Sequence, residues 1–224
     1  MLTIRFPRIT AIVAAAVCSY ALHDANAQAA SGAAIFGRLM QKRMDSLALV
    51  PGIAARAPGK HGMALMQAAG DSALYFLDDR GLRTLADLFA ETASRVPAAT
   101  CASLYTAGAN AFPDAFADML TLTDSALVDR WATFMTDVTR AGLLRPPIGQ
   151  VASPQMITSD IRAIIAHAPP GDQPALRRGA SKRGSSNDIC AFTLTFYRGL
   201  SALPTPRAGP LLRALMRGVQ PKLS

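Results

Sequence analysis

Residues 124–144 read Asp-Ser-Ala-Leu-Val-Asp-Arg-Trp-Ala-Thr-Phe-Met-Thr-Asp-Val-Thr-Arg-Ala-Gly-Leu-Leu, and this stretch decides the fold. Leu127, Val128, Trp131, Phe134, Met135 and Val138 recur at three- and four-residue steps, the period of one helix face. Thr123 is read as the cap, and Asp124 suits the positive end of the helix dipole. Gly142 followed by Pro146-Pro147 reads as the stop. The spacing therefore predicts one long amphipathic helix at the middle of the chain.

Working outward, the same period returns on both sides. Residues 33–49 place Ile35, Phe36, Leu39, Met40, Met44, Leu47 and Ala48 on one stripe. Gly81 to Val96 does so with Leu82, Leu85, Leu88, Phe89 and Ala93, until Pro97 interrupts it. A short helix around 98–107 carries Cys101, Leu104 and Tyr105, and a segment after Phe112-Pro113-Asp114 carries Phe116, Met119 and Leu120. Downstream, Ser153-Pro154 is a cap with proline at the first helical position, ahead of Met156, Ile157, Ile161, Ile164 and Ile165 on one face. Ser186-Asn187-Asp188 can cap a helix over 188–203 with Ile189, Phe192, Phe196, Tyr197 and Leu200 aligned, and a last helix is expected at about 207–219.

Between these helices, residues 50–60 hold two Pro-Gly steps and read as an irregular linker. Ser72–Leu77 alone has any strand character. No alternating apolar pattern of strand type is found, so the expectation is an all-α, irregular bundle of about six to eight amphipathic helices in a single domain over 28–224. Residues 169–187 open on Pro-Pro-Gly and are poor in apolar residues, so they read as a mobile basic surface loop.

Residues 1–27 are read as an export signal. Arg5 and Arg8 precede an apolar run from Ile9 to Leu22, and Ala25-Asn26-Ala27 presents small residues where a signal peptidase cuts, before Gln28. The run of about 14 residues is shorter than the roughly 20 a bilayer requires. The expectation is a periplasmic or secreted protein cleaved after Ala27, with no transmembrane helix in the mature chain. Lipidation of Cys18 is the competing reading, although Val17 fits a lipoprotein signal poorly. Cleavage removes Arg5, Arg8 and Asp24, and the formal charge falls from +8 to +7. That charge is thinly spread and speaks against nucleic acid as partner in such a compartment. It allows an envelope protein or an anionic envelope surface.

Two cysteines remain after cleavage, Cys101 and Cys190. An even pair in an exported chain is expected to form one disulfide, the alternative being two buried thiols.

Catalytic groups are few. His61 follows a Pro-Gly-Lys linker and is read as exposed; His167 sits at a helix end, where it can cap carbonyls. The carboxylates beyond the signal are thirteen Asp and the single Glu91. Asp78-Asp79 is the tightest pair and is read as a helix cap, because adjacent carboxylates point in different directions. Asp114 and Asp118 lie one turn apart. No nucleophile elbow, P-loop, dinucleotide fingerprint, haem-attachment motif or close metal-ligand spacing is present, so neither metal nor cofactor is expected. Trp131, Phe134 and Met135 at helical spacing are read as core. The best candidate for contact with an anionic partner is the basic run Arg177, Arg178, Lys182 and Arg183. The sequence therefore reads as an exported helical binding or interaction protein. Its rivals are a periplasmic hydrolase bringing Asp78, Asp79 or Asp114 together with His61 or His167, and a lipid-anchored envelope factor.

Overall fold

Helices are what these residues build wherever an apolar stripe has a cap before it and a breaker after it, and the computed structural model follows that rule. It describes residues 31–70, 72–107, 111–145, 148–182 and 184–217. The export signal, Cys18 and Arg183 lie outside the described residues.

Eleven α-helices and no strand are found among the described residues. They are α1 Gly32–Ala48, α2 Pro51–Ala54, α3 Gly62–Ala69, α4 Asp79–Arg95, α5 Ala98–Thr106, α6 Phe112–Thr121, α7 Ser125–Leu144, α8 Pro154–Ala166, α9 Gln173–Ala180, α10 Ser186–Ala202 and α11 Thr205–Met216, with a 3-10 turn at Ala73–Phe76 before α4. The all-α expectation holds. The number exceeds six to eight because breaker-rich stretches fold into short helices of their own. Pro51 at the first turn starts α2 inside the expected linker, and the stretch with strand character is the 3-10 turn.

All six stripe residues of α7 are buried, as are the five of α4. Helix α7 lies along α1 and reaches α3 and the 3-10 turn; α4 packs against α10 and α11, and α10 against α5 and α9. Trp131 joins these two groups. Its ring meets Phe89, Phe116 and Phe134 edge-on at 5.3, 5.1 and 5.9 Å, and Phe89 stacks on Tyr197 at 4.8 Å. Edge-to-face contacts of this kind add to the burial of the rings themselves. The aromatic residues of the central stripe are therefore core.

The helix ends differ from expectation by small shifts with clear causes. Asp124, and not Thr123, caps α7, its Oδ1 accepting from the Leu127 backbone N–H at 2.8 Å. Helix α7 ends at Leu144, the expected end, and Gly142 within its last turn lets α3 and the 3-10 turn approach closely: a Cβ there would stand 2.6 Å from Ala73 Cβ and 3.0 Å from Ala69 Cβ. Ser185 caps α10 and forms a reciprocal capping box with Asp188. The last helix begins at Thr205.

The largest correction concerns 169–187. Helix α9 occupies Gln173–Ala180, with Leu176 and Ala180 buried. Gly179 gives the closeness: an added Cβ would lie 2.1 Å from the Asp188 carbonyl oxygen. Two apolar residues and one glycine suffice to seat this turn of chain on α10, which a composition argument does not detect.

Cys101 on α5 and Cys190 on α10 form a disulfide, their Cα atoms 5.4 Å apart and 89 residues apart in sequence. Both are buried. No helix among the described residues is long and apolar enough to cross a membrane.

Candidate functional site

The residues with catalytic chemistry are engaged in holding the fold. Asp78 caps α4, accepting from the Gly81 N–H at 2.7 Å. Asp79 turns the other way, to the buried guanidinium of Arg213. His167, at the end of α8, donates from Nδ1 to the Ala163 carbonyl at 2.6 Å, the capping role its position implies. His61 is exposed ahead of α3, and Asp114 and Asp118 are exposed on α6. Among the described residues these side chains are not joined to one another by hydrogen bonds or ion pairs. No group of three His, Cys, Asp or Glu there is placed to hold a metal.

The basic run divides as well. Arg178 binds the Asp188 carboxylate through two hydrogen bonds, both 3.1 Å. That pairing raises the Arg178 pKa and, reinforced by the Ser185 backbone, holds the Asp188 carboxyl below its ordinary value. Lys182 has a left-handed backbone, φ 57°. Its Nζ donates to the Tyr105 carbonyl at the end of α5, 3.2 Å away, and lies 5.0 Å from the Tyr105 ring centroid. Cations suit the negative end of a helix dipole, and half-burial lowers the Lys182 pKa. Of the three described cations, Arg177 is the exposed one with no ion pair. The run thus knits α9 to α10 and α5.

Open surface is found instead along α1. Two hollows flank its outer face, with Lys42 and Ser46 on the crest between them. The first, about 530 Å³, lies between α1 and α7; Leu39, Leu47 and Val50 give it apolar walls, and Lys42, Arg43 and Arg140 stand around it. Arg43 is paired with Asp129 at 2.7 Å, which leaves Lys42 as the cation nearest the crest. The second, about 620 Å³, runs from Arg38 and Gln41 to Leu49 and His61. Its one carboxylate, Asp45, accepts from Gln41 Nε2 and from the Gly62 backbone N–H at 3.1 Å, and so anchors the start of α3. Sequence reasoning passed over this face because Leu49 and Val50 stand where the expected helix 33–49 gives way to the linker 50–60, and neither pattern says which side chains stay in solvent. Both residues fall after the last helical turn, where Leu49 is 78% and Val50 42% exposed.

Comparison with models of protein families, with curated proteins and with solved structures finds no match for this chain.

Proposed function

We propose that this chain is an exported binding protein whose working face is the outer side of α1 and the turn that follows it. The observation that carries the reading is the α1 crest itself: open hollows on both sides, exposed cations, and aliphatic side chains left in solvent. Large aliphatic groups held in water mark contact surfaces when they gather beside such a groove. The disulfide supports export, because such bridges persist in oxidising compartments. The engagement of Asp78, Asp79 and His167 in caps and ion pairs supports binding over turnover.

The test begins with the chain as its host produces it. N-terminal sequencing is expected to read from Gln28, and alkylation without reductant to modify neither Cys101 nor Cys190. Immobilised, the chain is expected to retain one envelope component, and Lys42→Glu to abolish the retention. Hydrolysis of a substrate panel that vanishes with Asp78→Asn or His61→Ala would overturn the reading, as would an intact Met1 with both thiols alkylated.

A further inference from the structure

Six large apolar side chains are strongly exposed among the described residues, and four of them, Leu49, Val50, Leu144 and Ile148, come from two short segments, 46–60 and 138–152. These segments meet at one end of the bundle. Arg56 Nη1 donates to the Leu143 carbonyl at 3.3 Å, and a Cβ on Gly52 would lie 3.7 Å from Leu144 Cδ2. The same two segments contain Arg56, Lys60, Arg140 and Arg145 and no Asp or Glu. All four cations are exposed. Arg56 and Arg145 rest on backbone carbonyls, Leu143 and Gly142, and Arg145 also lies over the Phe76 ring at 5.9 Å, so neither charge is neutralised there. Among the described residues the bordering carboxylates are Asp45, engaged by Gln41 and the start of α3, Asp137, 3.6 Å from Arg140 at the surface, and Asp129, which shares the first hollow with Val50 and Arg140 and is paired with Arg43 at 2.7 Å.

Aliphatic tips inside a collar of cations match one kind of partner especially well. We infer that this end of the bundle docks on an anionic lipid surface, Leu49, Val50 and Leu144 entering the headgroup layer while the arginines and Lys60 meet phosphates. The inference rests on the binding reading above and names its partner. An anionic lipid layer is favoured over an acidic protein because Leu49, 78% exposed, and its aliphatic neighbours share two segments with four cations and no carboxylate, and phosphates lying directly over hydrocarbon are the chemistry of a lipid surface. Interfacial binding of this type adds buried apolar area to attraction for anionic headgroups, and salt weakens the second part.

The test is co-sedimentation of the host-produced chain, its N-terminus read by mass spectrometry, with phosphatidylcholine vesicles and with vesicles containing phosphatidylglycerol. Binding is expected only to the anionic vesicles, falling at least tenfold between low salt and 0.5 M salt. Leu49→Ser/Val50→Ser, sharing the same N-terminus, is expected to keep its circular dichroism and lose at least tenfold in affinity. Arg140→Gln/Lys60→Gln is expected to flatten the salt dependence. Equal binding to both vesicle types, or an unchanged affinity in the folded Leu49→Ser/Val50→Ser variant, overturns the inference. So does retention of an acidic protein by a chain that binds no vesicles, an outcome that leaves the binding reading of α1 standing.

Discussion

Arg213 and Asp79, 134 residues apart in sequence, form an ion pair of 2.5 Å in which the guanidinium is 2% exposed and the carboxylate 34%. Arg213 also donates to the carbonyls of Leu77 and Gln150, at 2.9 and 3.4 Å. Gly209 makes the room, since a Cβ on it would overlap the Asp79 carboxylate. One arginine thus ties α11 to the start of α4 and to the segment preceding α8. Its burial is what turns Asp79 from a catalytic candidate into a structural partner.

Removing the carboxylate leaves a buried cation with carbonyl partners only. Asp79→Ala is expected to lower stability by about 3 kcal/mol, near the lower end of what breaking a buried pair costs. Urea unfolding measures it. Asp79→Ala/Arg213→Met, which removes both charges, is expected to recover more than half of that loss; a double variant no better than the single would show that the pair itself was not responsible.

The sole tryptophan offers a second probe. Trp131 Nε1 donates to Thr92 Oγ1 at 3.0 Å in the interior, linking α7 to α4. Thr92→Val keeps the shape and removes the acceptor, so the indole N–H is left buried and unbonded. A cost of about 1–2 kcal/mol is expected. Tryptophan fluorescence follows the unfolding directly, and a variant within 0.3 kcal/mol of wild type would remove this bond from the account of stability.

The Cys101–Cys190 bridge closes a loop of 89 residues, for which chain entropy gives roughly 4–5 kcal/mol of stabilisation as an upper expectation. Both sulfurs are buried, so reductant is expected to act only as the protein opens. Cys101→Ala/Cys190→Ala is therefore expected to unfold at lower urea concentration than wild type, and native wild type to resist mild dithiothreitol over hours. Rapid reduction without loss of helicity would contradict the burial.

Much of this architecture was legible from the chain. The stripes of α4 and α7 agree with the buried faces, and that of α8 does so apart from Met156, 46% exposed in its first turn, because a 3.6-residue period and its breakers are local properties. The cysteine pairing followed from parity and from the expectation of export. What escaped was set by contacts distant in sequence. Nothing near Arg178 or Lys182 announces Asp188 or the Tyr105 carbonyl, and nothing near Arg213 announces Asp79. Leu49 and Val50 were read only as the end of one helix and the start of a linker, and periodicity does not say that two aliphatic side chains there stay in solvent. The candidate face was therefore invisible until the end of α1 was fixed.

Low pH should reveal the α9–α10 connection. The Asp188 carboxyl is held below its ordinary value mainly by the Arg178 hydrogen bond. Its folded pKa is depressed, so the contribution is fully present above the unfolded carboxylate value of about 4 and is lost as pH falls through the folded one. Wild type is expected to melt above Asp188→Asn at pH 7, and the two to converge by about pH 2–3. Parallel melting curves across that window would refute the assignment.

At high pH the sign reverses. Burial raises the Tyr105 phenol, with the neighbouring Tyr197 adding to the effect, and burial likewise raises Tyr197. Folded values above the unfolded one mean that stability is intact below about pH 10 and declines as pH climbs beyond it, because only the unfolded chain ionises readily there. Tyrosinate absorbance should accordingly rise in two stages. The late stage should coincide with loss of helical circular dichroism, since neither phenol can ionise while the Phe89–Tyr197 stack and the Tyr105–Phe192 contact stay closed. Full ionisation of every tyrosine in a chain that is still helical would show that these rings are not buried as described.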